Sequence, residues 1–232
     1  MLLLWPALVP AQPLLLVDAV PDAGAPWLTA LPARYTVWLE THRVAQFLQL
    51  AAPVFATTLT PRNPLRLHLV AAPTGESLRA RTLGDDVAVQ VREQDSPDRR
   101  ADVIVHEAVH ALQQRSRVSE RVVGLPPEAR ELLDEALATA IGQGVWRRLD
   151  HAVGEAVGEI AWRRGRDRTA EDLARPWYVA ERKGQQVDAW ARALTPTMTR
   201  ALAHATPLPE LSAALLATWQ AGKAHTLGGK AP

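Results

Sequence analysis

Asp98-Arg99-Arg100-Ala101-Asp102-Val103-Ile104-Val105-His106-Glu107-Ala108-Val109-His110-Ala111-Leu112-Gln113-Gln114 lies near the middle of the chain and has helical spacing. Val103, Val109 and Leu112, with Ile104 and Ala108 beside them, form one apolar stripe that needs a core to face. Ser96 suits the N-cap, Pro97 the first helical position and Asp98 the first turn, while Arg115 and Arg117 suit the C-terminal end. Within this predicted helix His106-Glu107-Ala108-Val109-His110 reads H-E-x-x-H. Histidines four residues apart stand one above the other on the same helix face. Two neutral imidazoles on one rigid rod can grip a single Zn²⁺, and the glutamate one step past the first histidine is placed to act on a water as a general base.

Composition bounds the chemistry around that pair. The 232 residues are 47% hydrophobic, enough for a sizeable core. They carry 26 basic against 25 acidic residues, a net charge of +1 that gives no reason to expect nucleic acid or an anionic membrane as partner. There is no cysteine, so thiolate ligands, a thiolate nucleophile and disulfides are excluded, and any metal must be held by histidine and carboxylate. The apolar start, Met1 to Ala11, has features of a signal peptide core but lacks a basic flank and is interrupted by Pro6. Both a cytoplasmic and an exported location stay open. No stretch reaches the ~18 uninterrupted apolar residues of a membrane span.

Leu14 to Val20, Leu65 to Val70 and Asp86 to Arg92 read as strands, the last two by alternation, with His68 and Arg66 opposite the Leu65, Leu67, Leu69 face. The last strand before the helix is expected to form an edge along a cleft, able to pair with an extended peptide. Tyr35 to about Ala51 reads as one helix with Val37, Val44, Phe47, Leu48 and Ala51 inward and His42 either solvated or at the core edge. After Gly124-Leu125-Pro126-Pro127 the chain reads as helical: Glu128 to about Arg148, Asp150 to Arg164, Trp177 to Leu194, Pro196 to His204 and Pro209 to Gly222. The eight tryptophans are expected to be packing residues.

A catalytic zinc has three protein ligands and one open position, so a third must come from elsewhere. Asp134-Glu135-Ala136 follows His110 after 24 intervening residues, on the next predicted helix. Here the chain resembles the gluzincin metallopeptidases, the thermolysin and aminopeptidase N superfamily, in which H-E-x-x-H is followed by a helix carrying N/D-E-G/A. The resemblance covers about residues 65–140. It implies that His106, His110 and Glu135 bind zinc and that Glu107 activates the water. The family's commonest gap is shorter, which would favour Glu131; the local sequence favours Glu135. Small gluzincins also carry a tyrosine downstream that stabilises the oxyanion, which points to Tyr178 in Arg175-Pro176-Trp177-Tyr178, with His151 and His204 as alternatives. Asp102 and Asp134 are both candidates to orient a ligand histidine. His151, Glu155 and Glu159 share a helix face, for which a solvated charged surface is the ordinary explanation.

The expected architecture is a single α+β, zincin-like domain. A possible signal remnant (1–12) precedes strands, a helix and a small mixed sheet (12–95), then the metal-binding helices (96–150), a helical part (151–225) and a tail (226–232). The expected function is zinc-dependent hydrolysis of a peptide or protein substrate, with oligomeric state open. Two alternatives remain at this level: a non-catalytic zincin-fold binding or scaffold protein, and a helical structural protein with an incidental H-E-x-x-H.

Overall fold

A computed structural model describes residues 13–73, 78–146 and 181–227. Four short strands form one mixed sheet in the order β1-β2-β4-β3, where β1 is Leu15–Ala19, β2 Leu65–Ala71, β3 Ala80–Leu83 and β4 Asp86–Val91. β1, β2 and β4 run parallel, and β3 is antiparallel to β4. Alternation along β2 and β4 sends Leu65, Leu67, Leu69, Val87, Val89 and Val91 to one face, where all are buried. Arg66, His68 and Asp86 occupy the other face, as the period of two requires.

The buried face is covered by helices. α1 (Leu31–Thr41) packs on β1, and α3 (Pro97–Ser116) lies across β3 and β4. α3 starts at Pro97 behind Ser96, although the serine hydroxyl makes no capping bond. It stops at Arg117, which turns left-handed (φ +48°) and returns its N–H to the Gln113 carbonyl. Arg115, only 7% exposed, anchors the helix end: its guanidinium donates to Asp85 Oδ1 at 2.5 Å, to the Thr58 carbonyl at 2.8 Å and to the Asn63 carbonyl at 3.0 Å. One cation thereby ties α3 to the β3–β4 turn and to the loop before β2.

Several expectations are corrected. The helix expected from Tyr35 to Ala51 is two helices, α1 and α2 (Val44–Ala51), broken where Arg43 turns left-handed at φ +53°. The break shifts the phase of the apolar stripe, so Tyr35, Trp38 and Leu39 are buried while Val37 is 63% exposed. His42 packs its ring on Trp38 with centroids 4.3 Å apart, in keeping with a core-edge position. The sheet's edge beside α3 is not the Asp86 strand, which pairs on both sides, but the additional strand β3. A two-residue Gly84-Asp85 link joins it to β4, with Gly84 at the positive φ (+60°) that such turns require.

α4 (Pro127–Thr139) follows α3 and passes into a π-helical segment, Ala140–Trp146, rather than continuing as regular helix. α5 (Glu181–His204) runs unbroken through Pro196, where two helices were expected. The lost backbone bond is accompanied by hydroxyl bonds from Thr195 to the Ala191 carbonyl and from Thr199 to the Thr195 carbonyl, both 2.8 Å. Burial of Trp190, Ala191, Leu194, Met198 and Ala201 supplies the packing that overrides the proline's roughly 3 kcal/mol helix penalty. α6 (Ser212–Leu227) packs against α5, with Trp190 and Trp219 edge to face at 4.8 Å. The fold is thus mixed α and β, with a small mixed sheet and a helical C-terminal part among the described residues. No helix among them is long and apolar enough to cross a membrane.

Candidate metal centre

His106 sits about two and a half turns into α3 and His110 one turn further on, both on the side facing α4. Glu135 lies two turns into α4, and the antiparallel packing of these rods brings it level with both histidines. Its carboxylate reaches His106 Nε2 through Oε1 at 3.1 Å and His110 Nε2 through Oε2 at 3.2 Å. The two Nε2 atoms are themselves 3.1 Å apart. Glu131, one turn earlier on α4, stays outside this group, and His106, His110 and Glu135 are the one set of potential ligands that converges among the described residues.

The nitrogen–nitrogen separation forms a size test. Tetrahedral zinc with bonds of about 2.0–2.1 Å has neighbouring ligand atoms about 3.3 Å apart. The Nε2–Nε2 separation of 3.1 Å is close to that spacing, and each oxygen of the Glu135 carboxylate approaches one of the two nitrogens, Oε1 that of His106 at 3.1 Å and Oε2 that of His110 at 3.2 Å. The burial is graded in a way that suits a cation reached from one side: the His106 and His110 side chains are 12% and 19% exposed, and Glu135 is 51% exposed.

The electrostatics agree with the geometry. Burial works against the Glu135 carboxylate, but hydrogen bonds and charge from both histidines outweigh it and hold its pKa well below the usual carboxylate range. Burial likewise pushes His110 toward neutrality. Glu135, and after it the Glu107 charge and Gln113, outweigh that push and raise its pKa above the ordinary histidine value. Two lone-pair-bearing imidazoles and a carboxylate crowded at this spacing favour a positive charge between them, whether proton or metal ion.

Glu107 does not join the cluster. Its carboxylate turns to the sheet edge, where the Thr82 hydroxyl on β3 lies 2.7 Å from Oε2 and 2.9 Å from the Glu107 carbonyl. With one proton to donate, that hydroxyl serves one acceptor at a time. The general-base candidate is therefore held between the motif helix and the strand that borders it. A pocket of about 530 Å³ opens beside His110, lined by Gly84, Gln113, Gln114, Arg117, Glu120 and Asp134.

The close approach behind His106 depends on glycine. A Cβ added to Gly142, in the π-helical segment, would lie 3.0 Å from the His106 backbone nitrogen and 3.1 Å from its Cα. On the other side of that segment, a Cβ at Gly144 would lie 2.5 Å from Thr195 Oγ1. Gly142-Gln143-Gly144 thus lets one stretch of backbone slot between α3 and α5. π-helical insertions of this kind recur at functional sites.

Tyr178, His151, Glu155 and Glu159 lie outside the described residues. His204 is exposed at the end of α5 and joins no ligand cluster among them. The side chain of Asp102 is likewise not described. Asp134 acts through its carbonyl rather than its carboxylate, accepting a bond from Gln113 at 2.9 Å. Three contributors were not singled out from sequence: Thr82, Gln113 and Gly142. Two left legible signals. Gly84-Asp85 marks a two-residue hairpin that implies a strand through Thr82, and Gln113 is three residues past His110, on the same helix face. Compared with protein-family models, with curated proteins and with solved structures, the chain matches none.

Proposed function

We propose that this chain is a zinc-dependent peptidase of gluzincin type with a zincin-like arrangement of helix and sheet. The observation that carries the metal is the convergence of His106 Nε2, His110 Nε2 and the Glu135 carboxylate, with each carboxylate oxygen within 3.1–3.2 Å of one imidazole nitrogen. The step from metal to peptide hydrolysis rests on the resemblance of His106-Glu107-x-x-His110 and Asp134-Glu135-Ala136 to the gluzincin pattern, and on the separate placement of Glu107. Zinc held by these residues supplies a Lewis acid for a scissile carbonyl and lowers the pKa of a water toward about 7. Glu107, kept out of the ligand set by Thr82, takes the water's proton and passes it to the leaving amine. The pocket beside His110 gives a substrate side chain a polar-walled recess next to the reacting centre. Tyr178 is the proposed oxyanion donor.

The test is metal analysis of chain purified without chelator, followed by peptide hydrolysis by the wild type and Glu107→Gln. The reading expects about one zinc per chain in both proteins. It expects activity about 10²–10⁴-fold lower in the variant, the range of a general acid–base contribution. Zinc in both with equal turnover would defeat the catalytic mechanism and leave a metal-binding scaffold. A chain that takes up no metal would leave an incidental motif on a structural helix.

A further inference from the structure

Gln113 is 3% exposed, yet every polar atom of its carboxamide is used. Nε2 donates to the Asp134 carbonyl at 2.9 Å, and Oε1 lies 2.7 Å from His110 Nδ1. The assignment of the two amide ends follows from elementary chemistry. A backbone carbonyl only accepts, so the NH₂ end of Gln113 must face Asp134. Its oxygen then faces His110, which requires His110 Nδ1 to carry a proton and to donate it. A neutral imidazole protonated on Nδ1 has its lone pair on Nε2, the atom that meets Glu135 and His106.

The second bond bears on the other ligand-bearing helix. Asp134 immediately precedes Glu135, so the carbonyl that Gln113 grips belongs to the peptide unit from which Glu135 extends. One buried amide thereby sets the proton position on one ligand and fixes the backbone beside another. The contrast with His106 is informative, because its Nδ1 is buried with no hydrogen-bond partner among the described residues.

We propose that Gln113 is the positioning residue of this centre, holding His110 in the Nδ1–H tautomer and locking the Glu135 backbone to α3. The inference rests on the metal-centre reading above and goes beyond it by naming what preorganises the ligands. Outer partners of metal-bound histidines orient the ring, and losing one weakens metal binding by about 10–100-fold.

The experiment compares the wild-type chain with Gln113→Met, which keeps the volume and removes both bonds. One arm measures Zn²⁺ affinity by competition with a chromophoric chelator. The other reads the tautomer of His110 directly, from the side-chain ¹⁵N shifts of the zinc-loaded protein. Expected are a 10–100-fold weaker Zn²⁺ affinity in Q113M and a shift of His110 from the Nδ1–H form to a tautomer mixture. Wild type that binds zinc, with Q113M binding within twofold and its His110 tautomer unchanged, would overturn this role and leave the metal site standing. Wild type that binds no zinc would overturn both. Gln113→Glu keeps the acceptor that faces His110, so it covers the case in which Q113M fails to fold. There His110 must remain Nδ1–H, and a Nε2–H form would sink the proposal.

Discussion

Two histidine–carboxylate clusters, one among the helices and one on the sheet's uncovered face, are built from the same chemical groups to opposite effect. On the helical side, His106 Nε2 and His110 Nε2 lie 3.1 Å apart and each meets one oxygen of the Glu135 carboxylate, at 3.1 and 3.2 Å. On the open side, His68 of β2 lies between Asp18 of β1, 2.5 Å from Nδ1, and Asp86 of β4, 2.8 Å from Nε2. There the acceptors sit at opposite ends of one ring, so no point exists where lone pairs meet. When protonated, His68 donates from both nitrogens and bridges three strands. Convergence makes a candidate cation site and bracketing makes a clasp. Residue type does not decide between them; the direction of the atoms does.

Removing one carboxylate from each cluster should separate the two most sharply. Glu135→Ala is expected to lower Zn²⁺ affinity by more than the ~100-fold upper range for an outer partner, while Asp86→Ala leaves it within twofold. Chelator competition on both variants reads this, and an equal loss in the two would erase the distinction. Next in size is Thr82→Val, which strips the hydroxyl from Glu107 and keeps the shape of the edge strand. Hydrogen bonds to charged groups contribute about 1.5–3 kcal/mol, so kcat for peptide hydrolysis should fall by roughly tenfold or more at unchanged zinc content, and Thr82→Ser should restore it.

Gly142→Ala tests the backing of the convergent cluster. Alanine favours helix over glycine by about 1 kcal/mol. Here, however, its Cβ meets the backbone of His106 at 3.0 and 3.1 Å, and a backbone held in α3 cannot step aside as a side-chain tip can. Overpacking of about 1–3 kcal/mol should win, lowering the melting temperature by a few degrees and weakening zinc binding with it. A variant as stable as wild type with full affinity would show that the close approach is not needed.

The smallest effect belongs to the clasp. Burial pushes the His68 pKa down, but the bonds to Asp86 and Asp18 outweigh it and raise it above 6.5. Asp86 is lowered below 3.8, chiefly by His68. The signs define a window. The histidine's contribution is complete below 6.5 and is lost as pH rises through its higher folded value. The aspartate's is present above 3.8 and is lost as pH falls through its lower folded value. Wild type should therefore lead His68→Gln in urea midpoint most between about pH 4 and 6.5, with the lead shrinking toward pH 9. Both carboxylates are about half exposed, so the difference should stay below about 1 kcal/mol. A lead that grows with pH would contradict the clasp.

Local periodicity was readable before any packing was known. Four-residue spacing puts His106 and His110 on one face of α3, and alternation puts His68 opposite Leu65, Leu67 and Leu69, because backbone dihedrals repeat within a few residues. The choice of Glu135 over Glu131 was legible only through resemblance. Tertiary structure alone decided that the Glu135 carboxylate meets both imidazoles, that Gln113 ties His110 to Asp134, and that Thr82 reaches Glu107 from an unanticipated edge strand. It also decided that Arg43 re-aims α2 and that packing carries α5 through Pro196. Each of these depends on how separate rods and strands approach one another. That distance is set by side chains far apart in the chain, and at Gly142 by the absence of one.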